Sequence, residues 1–111
     1  MLLIVDEDDD TREMLQAALE DEGYEVRTAG DGFEAMEVMQ ARRPRLVLLD
    51  LMMPHMSGWQ VVGRMKDDPL LEDIPVCVMT DLPDAAPSDA VCVLTKPVGL
   101  EHLLDVVRQH G

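Results

Sequence analysis

At 111 residues, 47% hydrophobic and 29% charged, the chain suits one folded domain over residues 1–111 and not a disordered polymer. Nine basic against 23 acidic residues give a net charge of −14, which disfavours direct binding to nucleic acid or to an anionic membrane surface. No apolar run approaches the roughly 20 residues that span a bilayer, and no basic leader precedes the first apolar stretch, so a cytoplasmic location is expected.

Leu2–Val5 reads as a short apolar strand running into five carboxylates, Asp6 to Asp10. A run of like charge is ordinarily a solvated tail, but this one interrupts a folded pattern. A helix is expected from Asp9 or Asp10, with acids at the end where its dipole favours them. Met14, Leu15, Ala18 and Leu19 supply its core stripe, and Gly23 stops it in the manner of a left-handed C-cap. Tyr24–Thr28 alternates as an edge strand does. Asp31-Gly-Phe-Glu34 has the form of a capping box, opening a helix to about Ala41 with Ala35, Met36 and Met39 inward.

Arg42-Arg43-Pro44 breaks the chain. Leu46–Leu49 then forms a continuous apolar run, the mark of a strand buried on both faces, and Asp50 ends it ahead of a loop bearing Pro54 and Gly58. Ser57-Gly58 starts a third helix, with Trp59, Val62 and Met65 as its inner face, and Asp67-Asp68-Pro69 ends it. Ile74–Thr80 and Ala90–Leu94 are two further strands, with Pro75 tolerable only near the start of the first. Leu100, Leu103, Leu104 and Val107 line a C-terminal helix. Cys77 and Cys92 lie in apolar segments without metal-ligand or Cys-x-x-Cys spacing, so both are expected to be buried and reduced.

Strand and helix alternate throughout, except that residues 81–90, with Pro83 and Pro87, leave room for only a stunted helix or an irregular loop. The pattern implies an α/β fold, a flavodoxin-like doubly wound parallel sheet of five strands in the order 2-1-3-4-5, with its fourth helix shortened or absent. In that order the first and third strands are neighbours, so Asp6, Glu7 and Asp50 share one crevice. Two unit charges about 4 Å apart cost about 4 kcal/mol at an effective dielectric of 20, so such a cluster binds a hard cation or raises its pKa values. Oxygen-only ligands favour Mg²⁺, or Mn²⁺ in its place. The fourth strand brings the Thr80 hydroxyl to the same edge, and the fifth brings Lys96. Together these groups can receive a phosphoryl group.

Asp6-Glu7 after the first strand, Asp50-x-x-Met53-Pro54-x-x-x-Gly58, Thr80, and Lys96-Pro97 stand in order at the ends of the right strands. With them the chain resembles the receiver domains of two-component response regulators over essentially its whole length. The resemblance implies Asp50 as phosphoacceptor. It implies Mg²⁺ on Glu7, Asp50 and the Met52 carbonyl, with Asp6 acting through water, and a phosphoryl group held by Thr80 and Lys96. It also implies a histidine kinase or phosphotransfer protein as donor, an output protein as partner, and a domain that catalyses only its own phosphorylation and dephosphorylation. Three features depart from the family's habit. Val93 stands where an aromatic residue is usual, Asp81 follows Thr80 where a small residue is usual, and the fourth connection is short. Asp81 and Val93 are therefore candidate modulators, and the output surface is expected on the first or last helix. The competing reading is a degenerate receiver acting as a phosphorylation-independent interaction module. An aspartyl-phosphate phosphatase would want a second Asp where Met52 stands, and a flavin module would want a Ser/Thr/Gly-rich loop after the first strand. His55, His102 and His110 lack metal-ligand partners in the sequence.

Overall fold

The computed structural model describes residues 1–111. The chain alternates β1 (Leu2–Val5), α1 (Asp9–Asp21), β2 (Val26–Ala29), α2 (Gly32–Ala41), β3 (Leu46–Asp50), α3 (Gly58–Lys66), β4 (Val76–Thr80), β5 (Cys92–Thr95) and α4 (Leu100–His110). The fourth connection holds only a 3₁₀ turn, Pro83–Ala85. All five strands are parallel, in the order β2-β1-β3-β4-β5. The expected topology and the stunted fourth crossover are both present.

Each helix start has a local cause. The Asp8 carboxylate caps α1, accepting from Asp10 N–H and from the Thr11 hydroxyl at 2.6 Å. Asp31 caps α2 through Glu34 N–H at 2.8 Å, while Glu34 reaches back to Gly30 N–H and not to the cap residue. Ser57 and Gln60 make a full capping box on α3. Gly23, at φ +92°, takes the left-handed conformation expected after α1.

Period-two alternation along the strands divides the core between the two faces of the sheet. Leu3, Val5, Val47, Leu49 and Val78 face α2 and α3, meeting Ala35, Met39, Val61, Val62 and Met65. Leu2, Ile4, Leu46, Leu48, Cys77 and Met79 face α1 and α4, meeting Leu15, Leu19, Leu103, Val106 and Val107. No helix is long and apolar enough to cross a membrane.

Four expectations about side chains need correction. Met14 is 49% exposed and Leu100 44%, because the buried stripes run through Leu15 and Leu19 on α1 and through Leu103, Val106 and Val107 on α4. Trp59 is also exposed. The inner face of α3 is Gly58, Val61, Val62 and Met65, and a residue one step from Gly58 is turned about 100° away. Its indole N–H instead donates to the Ala85 carbonyl at 2.7 Å, tying α3 to the 3₁₀ turn.

The fourth correction is the largest: Cys77 and Cys92 are joined in a disulfide and are not free thiols. They are register partners on adjacent parallel strands, with Cα atoms 4.6 Å apart, inside the reach of a disulfide. Spacing along the chain carries no information on that register.

Candidate functional site

The carboxyl edge of β1, β3, β4 and β5 gathers the residues that the sequence singled out. Asp6 follows β1 with no exposed surface, Asp50 ends β3 at 3% exposure, and Thr80 ends β4 at 1%. These are the chain's only buried polar or charged residues. Lys96 follows β5, and its ammonium bridges the two acids, 3.2 Å from Asp6 Oδ2 and 3.3 Å from Asp50 Oδ1. The lysine is placed by its own backbone, since Lys96 N–H donates to the Thr80 carbonyl at 2.8 Å. The peptide bond that follows, Lys96–Pro97, is cis.

Asp6 is held by a second bond, from Asp8 N–H to Oδ1 at 3.0 Å. Asp50 Oδ1 accepts from Met52 N–H at 3.1 Å. Its Oδ2 accepts no hydrogen bond and is not sealed from solvent. The Thr80 hydroxyl accepts from Leu82 N–H at 2.9 Å, the first bond of the turn leaving β4.

Burial pushes the Asp50 carboxyl above its ordinary pKa. The charge of Asp6 adds to the effect, and together they outweigh Lys96 and the Met52 N–H. Burial also works against the Lys96 ammonium, but Asp50 and Asp6 overcome it and hold its pKa up. The two acids and one cation therefore form a coupled unit with a net negative charge, and one carboxylate oxygen faces outward.

Glu7 is exposed and does not close on this unit. It lines a neighbouring cleft of about 390 Å³ with Met52, Met53, Pro54, Ser57 and Trp59. No three carboxylate, histidine or cysteine side chains converge as a ready-made metal cage. The donor chemistry nonetheless suits a hard cation. Two buried carboxylates stand at the ends of neighbouring strands, and one of their oxygens is unpaired.

Asp81 is exposed and shares a depression of about 440 Å³ with Asp8, Thr11, Met14, Lys96 and Pro97, so it stands on the rim beside the lysine. Val93 is half-buried against the α2–α3 face, with Ala86 and Ala90. His55, His102 and His110 make no hydrogen bond or ion pair through their side chains. His55 stands at φ +68° in the loop after β3, an unusual conformation for a residue with a side chain.

One contributor went unread in the sequence. The Arg12 guanidinium donates to the Asp6 carbonyl at 2.7 Å and pairs with Asp9, fixing the end of β1 from the first turns of α1. The available signal was that Arg12 is the only Lys or Arg before Arg27, set in an otherwise acidic stretch.

Fold and site together define a doubly wound α/β domain with an acidic, lysine-bridged pocket at the carboxyl edge of its central strands. The family model of the response regulator receiver domain matches residues 2–108, and the chain belongs to that family, the receiver domains of two-component systems. It is 36% identical over 115 residues to an uncharacterized 14.6 kDa protein of Leptolyngbya boryana, covering 98% of this chain and 88% of that protein. It is 39% identical over 103 residues to the response regulator PleD of Caulobacter vibrioides, covering 87% of this chain but only 23% of PleD. Among solved structures, the chemotaxis protein CheY4 of Vibrio cholerae matches with a TM-score of 0.87 at 30% identity, covering 99% of this chain and 97% of that one. The receiver domain of NtrX from Brucella abortus matches at 0.90 and 28%, with the same coverages of 99% and 97%.

Proposed function

We propose that this receiver domain accepts a phosphoryl group on Asp50 from a phosphohistidine of a histidine kinase or phosphotransfer protein, and relays the signal by binding an output protein. The observation that carries the reading is the unpaired Oδ2 of Asp50 beside a lysine already aimed at the same carboxylate. In the transfer, that oxygen forms the new bond to phosphorus as the bond from phosphorus to the donor's imidazole nitrogen breaks. Lys96 balances the charge on the phosphoryl oxygens, and the Thr80 hydroxyl lies at the next strand end to hydrogen-bond one of them. Asp6, Glu7 and Asp50, with the Met52 carbonyl, are the residues that would hold Mg²⁺ or Mn²⁺. The bound ion would supply further positive charge to the transferred group.

The decisive experiment is intact mass after incubation with Mg²⁺ and acetyl phosphate. A gain of one phosphoryl group, labile to hydroxylamine, is expected. No gain would favour the degenerate-receiver reading, which draws on Asp81, Val93 and the short fourth connection. Mg²⁺ should also raise the melting temperature over the millimolar range. Linkage gives about 1.4 kcal/mol at ten times the dissociation constant, and a flat response would remove the metal from the reading.

Asp81 lines the same depression as Lys96, and charges closer than roughly 8–10 Å are incompletely screened, so it would repel an anionic donor at low ionic strength. Asp81→Ala should therefore be phosphorylated faster than wild type, with the larger gain at low salt. Equal rates at low salt would make Asp81 a turn residue only. For output we favour α1 and α4, where Met14 and Leu100 present apolar surface, over the short fourth connection.

A further inference from the structure

The Cys77–Cys92 disulfide is a covalent cross-link between β4 and β5, the strands that deliver Thr80 and Lys96. Two paired positions, Val78 with Val93 and Met79 with Leu94, separate it from the Thr80–Thr95 pair at the site edge. β5 needs such a tie more than any other strand. It is a four-residue edge strand with β4 as its only neighbour, and only one of its four residues is fully buried. The segment that leads into it has no α-helix, only a 3₁₀ turn held through Trp59. Short, poorly covered edge elements are the ones that open locally at the lowest free energy. Lys96 follows directly from this strand, so its place between Asp6 and Asp50 depends on β5 staying docked.

We propose that Cys77–Cys92 is a reversible thiol–disulfide exchange site, opened by dithiol reductants at Cys92, that sets the order of β5 and through it the readiness of Lys96 for phosphoryl transfer. Cys92 is half-buried, whereas Cys77 has no exposed surface, so attack is directed to Cys92. The reductant's thiolate bonds to Cys92 Sγ as the protein's S–S bond breaks, and Cys77 leaves as a thiolate and takes a proton. The reductant's second thiolate then attacks the reductant sulfur of the mixed disulfide. Cys92 is released as a thiolate and takes a proton. Two electrons pass to the protein, and the dithiol ends as its own disulfide. In a reducing compartment the pair would stand open, and an oxidant would close it, as cytosolic disulfides that respond to redox state do.

Closed, the clamp keeps Lys96 preorganised. Open, the edge strand frays and the lysine is held only by its side-chain contacts. The effect on phosphorylation rests on Asp50 being the acceptor; the effect on strand order does not. The test uses the full chain prepared without reductant and then with dithiothreitol. Alkylation of the denatured protein should count no thiols in the first sample and two in the second. Amide hydrogen exchange of the folded protein should speed up by roughly tenfold or more in β5 on reduction and stay unchanged in β1. Phosphorylation by acetyl phosphate should slow by about threefold to tenfold, since preorganisation of the cation is lost. Cys92→Ala should behave as the reduced protein in both buffers.

Two thiols in both samples, or equal exchange in β5, would overturn the proposal. A faster-exchanging β5 with unchanged phosphorylation would overturn its link to the site. No phosphorylation in either state would refute the acceptor reading, and the exchange of β5 would then decide whether the clamp exists.

Discussion

Asp50→Asn is expected to end phosphoryl acceptance completely and, in metal-free buffer at neutral pH, to make the domain more stable. The loss follows from chemistry, because an amide is no nucleophile for phosphorus and no second carboxylate takes the place of Asp50 Oδ2. The gain follows from the electrostatics of the buried unit. Asp50 is 3% exposed, and burial together with Asp6 raises its carboxyl above the unfolded value of 3.8 despite Lys96. A carboxyl whose pKa is raised by folding binds its proton more tightly in the folded state. Its contribution to stability is therefore complete below pH 3.8 and lost as pH rises through the folded value. Above the folded value wild type carries the cost of the ionised form, and the asparagine does not. The gain is expected as a rise in melting temperature at neutral pH. The same substitution should flatten the decline of stability with pH above 3.8. A variant that melts below wild type at neutral pH would mean that the Lys96–Asp50 attraction outweighs burial and the charge of Asp6.

Gly58→Ala should be the most damaging single methyl group in the chain. A Cβ at Gly58 would lie 2.6 Å from the Asp50 carbonyl oxygen and 2.6 Å from Leu51 Cα. Both are backbone atoms, so neither can swing aside as a side chain does. Gly58 N–H also donates to the Leu51 carbonyl at 2.9 Å, pinning the start of α3 against the end of β3. Relief requires the two segments to part. That would cost about 3 kcal/mol, or about 10–15 °C in melting temperature. The displaced backbone belongs to Asp50, the proposed acceptor, and misplacing a reacting group by about 1 Å can cost on the order of a hundredfold in rate. Gly63→Ala is the control. There the new Cβ meets nothing within 4 Å, and alanine forms helix more readily than glycine. No loss of stability and little change in phosphorylation are expected. Urea denaturation of both variants, with acetyl phosphate kinetics alongside, checks the contrast. Similar losses for the two would show that the close approach at Gly58 is relieved elsewhere.

Much of this molecule is legible in the order of its residues. The apolar run ending in Asp50 announced a strand buried on both faces, and those ending in Asp6 and Thr80 two more strands, whose polar ends meet, buried, at the carboxyl edge of the sheet. Gly23, Asp31 and Ser57 marked helix ends through local geometry, which depends on near neighbours alone. Two prolines within ten residues were enough to forbid a regular fourth helix. Alternation of strand and helix, with the handedness rule for parallel crossovers, then leads to the order β2-β1-β3-β4-β5 and so to one shared edge for Asp6, Asp50, Thr80 and Lys96.

The tertiary structure alone decided what depends on rotation and register. Whether Met14, Trp59 and Leu100 face the core turns on about 100° of helix phase, and spacing cannot fix that when apolar residues outnumber the buried positions. Arg12 reaches the Asp6 carbonyl because α1 packs back along β1, a contact that no local pattern encodes. Lys96 comes within 3.3 Å of both buried acids from 90 residues along the chain from Asp6, while Glu7, next to Asp6, turns out to solvent. Cys77 and Cys92 are bonded because the ladder of β4 and β5 sets them opposite each other on one face of the sheet. A shift of that ladder by one residue would send one sulfur to the other face, and only the packed sheet fixes which register is adopted.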